Sequence, residues 1–594
     1  MFSLPAIQTK LGDYATKKLN GDFNTNISIQ KIDLSFLGSI QLKGVKIRDH
    51  HQDTLIFVKN LRTSILSAKK VLESEVNLGS VSIEGVHVYM KTYKGEIDDN
   101  MAIFIDSFDN GLAKDTLSSP FILRSSNVYL KNLNYRLLND NNKKPISFSA
   151  RDIGGSLQDL LVYGPDFSSK IRGLYFVDNK GLEVTNLTTD FTYSRTAMHF
   201  KHTLLQTRKS KVKATIDFSY KREDLISFND KVNIKAIFDQ SEIAIPDLKK
   251  YYNKLSGSDL IHFSGNVNGK LNNFSLDNLL LTSKQGIKVT GDLDFINAVD
   301  FERGFVFNGD IENLTATYDE LKNILPTVLG NTLPTELRKF GKFTIEGKVH
   351  LTPLQLNAST ALKSKIGSVI SDLKISNIDN IDFATYNGKI ALKKLNVGVL
   401  FNNPLFGEVS LKGDINGSGF KLENINTSFF GLVSKINFKN HSYKNIVANG
   451  QYQNNKFDGN LTIDDEYFKM KFNGLANFSS KIHKFDFKSD IEYLNLKETN
   501  LFTRDSIALF KGNIELDFEG NTFDDIIGKA IFKNILYTNQ TAEFNFKEFV
   551  ISSSLKEGIK TIKVAWPKEQ LVILIYTCGL VSVYVLPKFI KTIP

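Results

Sequence analysis

The sequence predicts a mainly β protein: a long, curled β-sheet groove, taco-like and built from repeating units, with a few short helices. Three observations predict it. First, apolar and polar residues alternate over short runs, as in Ile27/Ile29, Leu55/Phe57 and Val86/Val88/Met90, the period of a strand with one apolar face. Second, one stretch recurs. Leu37-Gly-Ser-Ile-Gln-Leu-Lys-Gly-Val-Lys-Ile47 returns as Leu78-Gly-Ser-Val-Ser-Ile-Glu-Gly-Val-His-Val88. With Asn in place of the second Gly, the same pattern surrounds Asn132, Asn186, Asn278, Asn377 and Asn424. Third, no long amphipathic helix accompanies these strands, so nothing in the pattern covers the apolar face.

The recurring stretch has a physical reading. Apolar residues three apart point to opposite faces of a regular strand, and one extra residue in a β-bulge returns them to one face. The extra residue often takes the left-handed conformation that Gly and Asn tolerate best. Gly44 and Gly85, with Asn132, Asn186, Asn278, Asn377 and Asn424, are therefore the predicted bulge or turn positions. A Gly or Asn turn between short strands is the alternative for any one copy.

Composition narrows the class. The chain has 594 residues, 45 of them Phe and 20 Tyr, a β-favouring bias. Its 74 basic and 64 acidic residues give a net charge of +10, with pI about 9.1 and mean hydropathy −0.17. These charges are interspersed, which describes a solvated face and not a nucleic-acid footprint. With 1 Cys, Cys578, no intrachain disulfide can form. The first five residues have neither a basic n-region nor an apolar h-region, so no signal peptide stands in the sequence as written.

In chain order, residues 1–22 hold a predicted amphipathic helix over 5–20. Ser3 is placed to cap it, Pro5 suits its first turn, and Ile7, Leu11 and Leu19 share a stripe. Residues 23–236 read as β-groove with bulged strands, with a turn of helix within 61–73 and a loop or helix over 100–115. Residues 237–564 read as further groove repeats interrupted by short helices at 245–255, at 318–325 with 334–340, and at 494–507. A hairpin turn is predicted at Gln453-Asn-Asn-Lys456. Residues 565–594 differ: the chain's 1 Trp, Trp566, and 1 Cys fall there, and 571–586 is a 16-residue run without charge. That run is short of the ~18 residues of a spanning helix. It reads either as a C-terminal membrane anchor or buried strand, or as a frameshifted end that packs poorly and adds no repeat.

Catalytic constellations with usable spacing are not found, and neither enzyme activity nor a cofactor is expected. His50-His51 between Asp49 and Asp53 reads first as a polar hairpin turn, because a metal site there needs ligands converging from elsewhere. Asp464-Asp465-Glu466 lacks the alternate-oxygen pattern of a Ca²⁺ loop. Gly417-Ser-Gly419 lacks the strand-to-helix setting of a phosphate loop.

The opening Leu4-Pro-Ala-Ile-Gln-Thr-Lys-Leu-Gly-Asp-Tyr-Ala-Thr-Lys-Lys-Leu-Asn20, followed by Leu34-Ser-Phe-Leu-Gly-Ser-Ile-Gln-Leu-Lys-Gly-Val45, resembles the start of TamB-type proteins of the AsmA-like group. So do Pro334-Thr-Glu-Leu-Arg-Lys-Phe-Gly-Lys-Phe343 and the block 413–474 with His441-Ser-Tyr-Lys-Asn-Ile446. The resemblance covers about residues 3–564. It implies a β-groove held by an N-terminal inner-membrane helix and crossing the periplasm. Such a groove moves phospholipid towards the outer membrane, with a link to an assembly-type β-barrel and outer-membrane protein assembly. The family offers no catalytic residues to carry over. Relative to it, this chain is expected to lack the membrane helix and the C-terminal half.

The residues agree with that expectation. Roughly 35 strands at ~4.8 Å spacing give a sheet on the order of 170 Å long. An uncovered apolar face of that length suits acyl chains, each buried CH₂ contributing about 0.8 kcal/mol. The predicted lining residues are Ile40, Leu42, Val45, Ile83, Val86, Leu276, Leu279, Leu422 and Ile425. Phospholipid acyl chains are the expected partner and nucleic acid is not. The alternative is a structural or adhesive β-repeat protein without a lipid ligand, and an outer-membrane β-barrel is a further rival.

Overall fold

The computed structural model describes residues 16–17, 20–21, 23–35, 39–64, 75–107, 121–141, 146–253, 255–324, 333–421, 423–478, 483–521, 525–556, 559–565, 572–577 and 580–584. The helix expected over 5–20, and Trp566, Cys578 and Leu422, fall wholly or largely outside them. The protein is mainly β with a few short helices, and it divides into two compact units. One comprises 1–307 with 323–326, the other 308–322 with 327–594.

The first unit contains β1 (Asn26–Leu34), β2 (Ser39–Arg48), β3 (Thr54–Ser64), β4 (Glu75–Leu78), β5 (Val81–Thr92), β6 (Ile122–Asn139), β7 (Ile146–Tyr163) and β8 (Asp166–Asp178). It continues with β9 (Glu183–Tyr193), β10 (Ala197–Thr207), β11 (Lys211–Ser219), β12 (Asn233–Ala244), β13 (Leu260–Lys270), β14 (Asn273–Ser283) and β15 (Lys288–Ile296). From β6 to β15 each strand pairs antiparallel with the next. At the other end β1, β2, β3 and β5 form an antiparallel run. The join is different: β4 and β5 both lie parallel to β6.

A parallel join needs a crossover connection, and helix α1 (Asn100–Asp106) lies in it. Asp99 caps it by accepting from the Ala102 amide at 2.8 Å. Asn100, 2% exposed, pins it to β5: its side chain donates to the Tyr89 carbonyl at 3.1 Å and accepts from the Lys91 amide at 2.8 Å. The stretch expected as a turn of helix is strand up to Ser64.

In the second unit the strands from Lys342–Leu351 to Leu580–Tyr584 each pair antiparallel with the next. Asn454 and Asn455, with φ 52° and 59°, make the two-residue turn that closes Gln453 on Lys456. Short helices occupy Ile245–Lys249, Tyr318–Ile324 and Thr335–Phe340. Over 494–507 the strand ends at Asn495 and turns follow, not a helix. Val572–Thr577 and Leu580–Tyr584 extend the ladder beyond Ala565, where the frameshift reading expected no added repeat. Among the described residues neither unit's first strand pairs with its last, so neither sheet closes into a barrel. No described helix is long and apolar enough to cross a membrane.

Candidate functional site

Residues paired across neighbouring strands share a face, so the ladder registers determine which side chains lie together. Leu276, Leu279 and Leu281 of β14 pair with Leu293, Gly291 and Val289 of β15. Those partners alternate along β15, so the three leucines share one face although Leu276 and Leu279 are three positions apart. The ladder shifts between them, and Asn278 takes φ 54°.

The step recurs strand after strand. Leu130 and Leu133 of β6 face Gly155 and Ile153 of β7, with a shift between them and Asn132 at φ 54°. Ile171 and Leu174 of β8 face Thr189 and Leu187 of β9, around Gly173 at φ 61°. Towards the first strands the step passes on without a change in count. Ile83 and Val86 pair with Leu130 and Leu133, Leu61 and Val58 with Ile83 and Val86, and Leu42 and Val45 with Leu61 and Val58. Gly44 and Gly85 stand at this seam with φ 61° and 69°. At Gly85 space as well as dihedral favours glycine, since a Cβ there would meet the Lys59 Cβ at 2.9 Å, whereas at Gly44 a Cβ would meet the movable end of the Gln30 side chain and the dihedral decides. Ile40 pairs with Thr63.

Three predicted positions take other forms. Asn186 keeps a negative φ, since the ladder shift beside it leaves Thr185 as the unpaired residue of an extended bulge. Asn377 is left-handed, φ 59°, but it caps the short helix Ile378–Phe383 at the end of a strand. Asn424 and Ile425 lie in a turn and not in a bulged strand. The Asn424 side chain accepts from the Lys421 amide at 3.0 Å and donates to the Asp382 carbonyl at 2.8 Å, and the Ile425 amide bonds Lys421 O at 2.9 Å.

The register also exposes bulges that Gly and Asn do not mark. Asp152, Asp159, His202, Gln240 and Lys394 are left-handed, with φ 57°, 51°, 52°, 43° and 49°, each at or beside a ladder shift. Their flanks repeat the three-residue step: Ala150 and Ile153, Leu157 and Leu160, Leu392 and Leu395. At His202 and Gln240 the second flank is polar and tied down internally. Thr203 Oγ1 lies 2.9 Å from Thr189 Oγ1, and the Ser241 hydroxyl donates to the Lys213 carbonyl at 3.0 Å.

Together these registers give the first unit one apolar face running from β1 to β15. Phenyl rings pack along it: Phe167–Phe191 at 5.8 Å and Phe191–Phe200 at 4.7 Å, both tilted, Phe200–Phe218 edge-on at 6.0 Å and Phe274–Phe295 stacked at 5.0 Å between centroids. Val86 and Leu279 are buried at 4% exposure each. Leu42, Val45, Ile83, Leu276 and Phe200 keep part of their surface in solvent. The longest described helices have 7 residues, about 10 Å of helix, too short to shield the face.

The second unit repeats the division with smaller residues. One row runs through paired positions Ile415, Phe429, Gly450, Gly459, Gly474 and Phe487. A Cβ on Gly413 would sit 2.8 Å from the Phe429 ring, and one on Gly450 2.8 Å from the Phe457 ring. These rings lie across the bare backbone of a glycine on the next strand, a packing that substitutes for the missing side chain. Tyr443 ends the row's neighbour, 6% exposed. Its hydroxyl donates to the Thr499 carbonyl at 3.0 Å, and burial pushes its phenol up to about 12.

The opposite face is mainly polar, although Ile237, Leu280 and Phe430 stand exposed on it. Second positions of the bulges project there as Lys43, Glu84, Lys131, Arg172 and Asp277. Lys131 pairs with Glu84 at 3.3 Å and Arg172 with Asp190 at 2.7 Å. The acidic triplet 464–466 shapes a turn: Asp465, 3% exposed, accepts from the Lys444 and Tyr467 amides, each at 3.0 Å. Among the described residues one set of three possible metal ligands converges, His50, His51 and Glu96. No family model, curated protein or solved structure matches this chain.

Proposed function

We propose that the apolar face receives phospholipid acyl chains and that the protein is a lipid-conducting groove of the cell envelope. In this reading it works in the periplasm, between the inner and outer membranes, where it moves phospholipid between them, supports outer-membrane protein assembly alongside a β-barrel partner, or does both. The observation behind the proposal is the half-exposed apolar face that the bulges keep in phase across the first unit. Soluble monomers leave apolar patches of only a few hundred Å² open to water. Acyl chains cover such a face without needing a directional contact, and each buried CH₂ stabilises by about 0.8 kcal/mol. The charged opposite face keeps the sheet in water.

Photo-crosslinking in a bacterial envelope tests the reading. Crosslinkers at Leu42, Leu276 and Phe429 are expected to capture phospholipid, and those at the outward Ser275 and Phe430 are not. Equal capture at both sets, or none at the first, would refute it. Leu276→Arg is expected to lower capture with the fold intact. Leu279→Arg is unsuitable for this purpose, because Leu279 is 4% exposed and a charge buried there would disrupt the strand.

A further inference from the structure

The β2–β3 turn and the connection after β5 meet at a cluster that the lipid reading does not use. His50 Nε2 lies 3.0 Å from Glu96 Oε2, and His51 Nε2 lies 2.6 Å from Glu96 Oε1. All three ligand atoms are within 4.8 Å of one another. The two imidazoles are adjacent in sequence, yet both turn the same nitrogen to one carboxylate from a different connection. The side chains are 29%, 46% and 30% exposed, so an ion can reach them.

What surrounds the cluster holds it in place. Asp49, 4% exposed, accepts from the His51 and Asp53 amides at 3.0 and 2.9 Å, which fixes the turn. Its other oxygen accepts from Asn100 Nδ2 at 2.8 Å and lies 2.7 Å from the Tyr93 hydroxyl, which is also 2.8 Å from Asp53 Oδ2. The Tyr93 ring packs on His51 with centroids 4.0 Å apart and on His50 at 5.6 Å. On the Glu96 side, Asn141 donates to the Glu96 carbonyl at 3.0 Å and accepts from the Gly95 amide at 2.8 Å. Lys91, over the Tyr93 ring at 4.2 Å, is paired with Asp140 at 3.1 Å. The neighbourhood is therefore acidic, with Asp49, Asp53, Glu96 and Asp140 against the Lys91 ammonium and the Arg48 guanidinium, which donates to the Gln52 carbonyl of the turn at 2.7 Å.

We propose that His50, His51 and Glu96 bind one borderline divalent cation, Zn²⁺ in the first instance. Two imidazole nitrogens and a carboxylate oxygen are the donor set such a cation prefers, with water completing the shell. Bonds of about 2.0–2.1 Å in a tetrahedral shell set donor atoms about 3.3 Å apart, and the observed separations need only a modest opening to meet that. Binding moves each imidazole proton to Nδ1 or releases it, so the site weakens on acidification. The ion would tie the β2–β3 turn to the connection that leads into the parallel crossover, a clamp where the ladder changes from antiparallel to parallel.

Equilibrium dialysis of the full chain, stripped with chelator and then offered Zn²⁺ alone, tests this. The expected result is one Zn²⁺ per chain at neutral pH, weakened about tenfold or more by His51→Gln and by Glu96→Gln. Both positions are partly exposed, and circular dichroism verifies that each variant keeps its strands. With Co²⁺ as the probe, the wild type is expected to show visible absorption bands that both variants lose. No Zn²⁺ bound by the wild type would overturn the proposal. So would binding unchanged in both variants, which would place the ion elsewhere, for example at His199–Asp217, where the ring and carboxylate are 2.5 Å apart.

Discussion

Removing the bulge residue Asn278 should be nearly harmless, whereas removing its neighbour Ser275 should be costly. In the native strand Leu276 and Leu279 share a face only because one extra residue separates them. Without Asn278 they stand two positions apart, and ordinary alternation keeps Leu276, Leu279 and Leu281 inward. The deletion loses the bond from the Asn278 amide to Asp292 Oδ1 at 2.8 Å, exposed and worth about 0.5–1 kcal/mol, and it allows a continuous ladder in return. The expected change is within about 1 kcal/mol. Without Ser275, by contrast, the parity of Phe274 inverts relative to Leu276. Phe274 must turn outward, losing its partial burial, about 1–2 kcal/mol, and its stack on Phe295 at 5.0 Å, about 0.5–1.5 kcal/mol. The sum is about 1.5–3.5 kcal/mol. Hydrogen exchange of β13 to β15 in increasing urea reads both numbers locally. Equal losses in the two deletions, or a neutral Ser275 deletion, would refute the face assignment.

Three further outcomes follow from positions already described. Gly85→Asn should cost about 1–3 kcal/mol, because Asn tolerates φ near 69° but its Cβ would meet the Lys59 Cβ at 2.9 Å, whereas Gly85→Val, which also resists that φ, should cost about 2 kcal/mol more; urea midpoints of the two variants compare them. Burial opposes the charge on Asp49, but hydrogen bonds from Asn100, Tyr93 and the turn outweigh it, so its carboxyl lies below the ordinary 3.8. Its contribution is thus present above that value and is lost as pH falls through the lowered one. Asp49→Asn should destabilise by about 1–2 kcal/mol at neutral pH and flatten the decline in stability between mildly and strongly acidic solution, followed by circular dichroism. Phe429→Ala should cost about 2–3 kcal/mol, below the full value for a buried ring because Phe429 is half-exposed, and it should speed exchange in the strands on either side.

The strand alternation and the bulges at Gly44, Gly85, Asn132 and Asn278 were legible because Gly and Asn advertise a left-handed residue. Asp152, Asp159, His202, Gln240 and Lys394 do the same work without that signature, since two strands already hold the backbone and the local preference is overridden. Their readable mark is the three-residue step between apolar flanks, and at His202 and Gln240 even that is disguised by Thr203 and Ser241. The turn at Asn454-Asn455 was legible for the opposite reason: a two-residue hairpin needs two positive φ angles, and few residues supply them. The parallel join of β5 to β6 leaves no local mark, because each strand alternates like its antiparallel neighbours. The His50, His51 and Glu96 cluster was half legible, as the histidines are adjacent but Glu96 arrives only through the fold. The segment 494–507 shows the limit of periodicity. Leu494 closes a strand and packs with Tyr443, Ile463, Phe468 and Ile491, so its apolar residues belong to the sheet edge and not to a helical stripe.

The parallel join also divides the way the first unit can assemble. On either side of it most strands meet their partners through short hairpins, the longer connections being those of β3 to β5, β11 to β12 and β12 to β13, so ordered pairs can form independently and zip outward. Stability then accumulates as a chain of nearest-neighbour terms, and a lesion is felt mainly in the ladders beside it. Between β5 and β6 no short hairpin exists: Val81 must find Val128, and a long loop loses its freedom before the first parallel bonds form. The two zippers, β1 to β5 and β6 to β15, therefore meet late. A clamp that holds the connection between them acts on the slowest step of assembly, and its effect is read in the refolding rate more than in the unfolding midpoint.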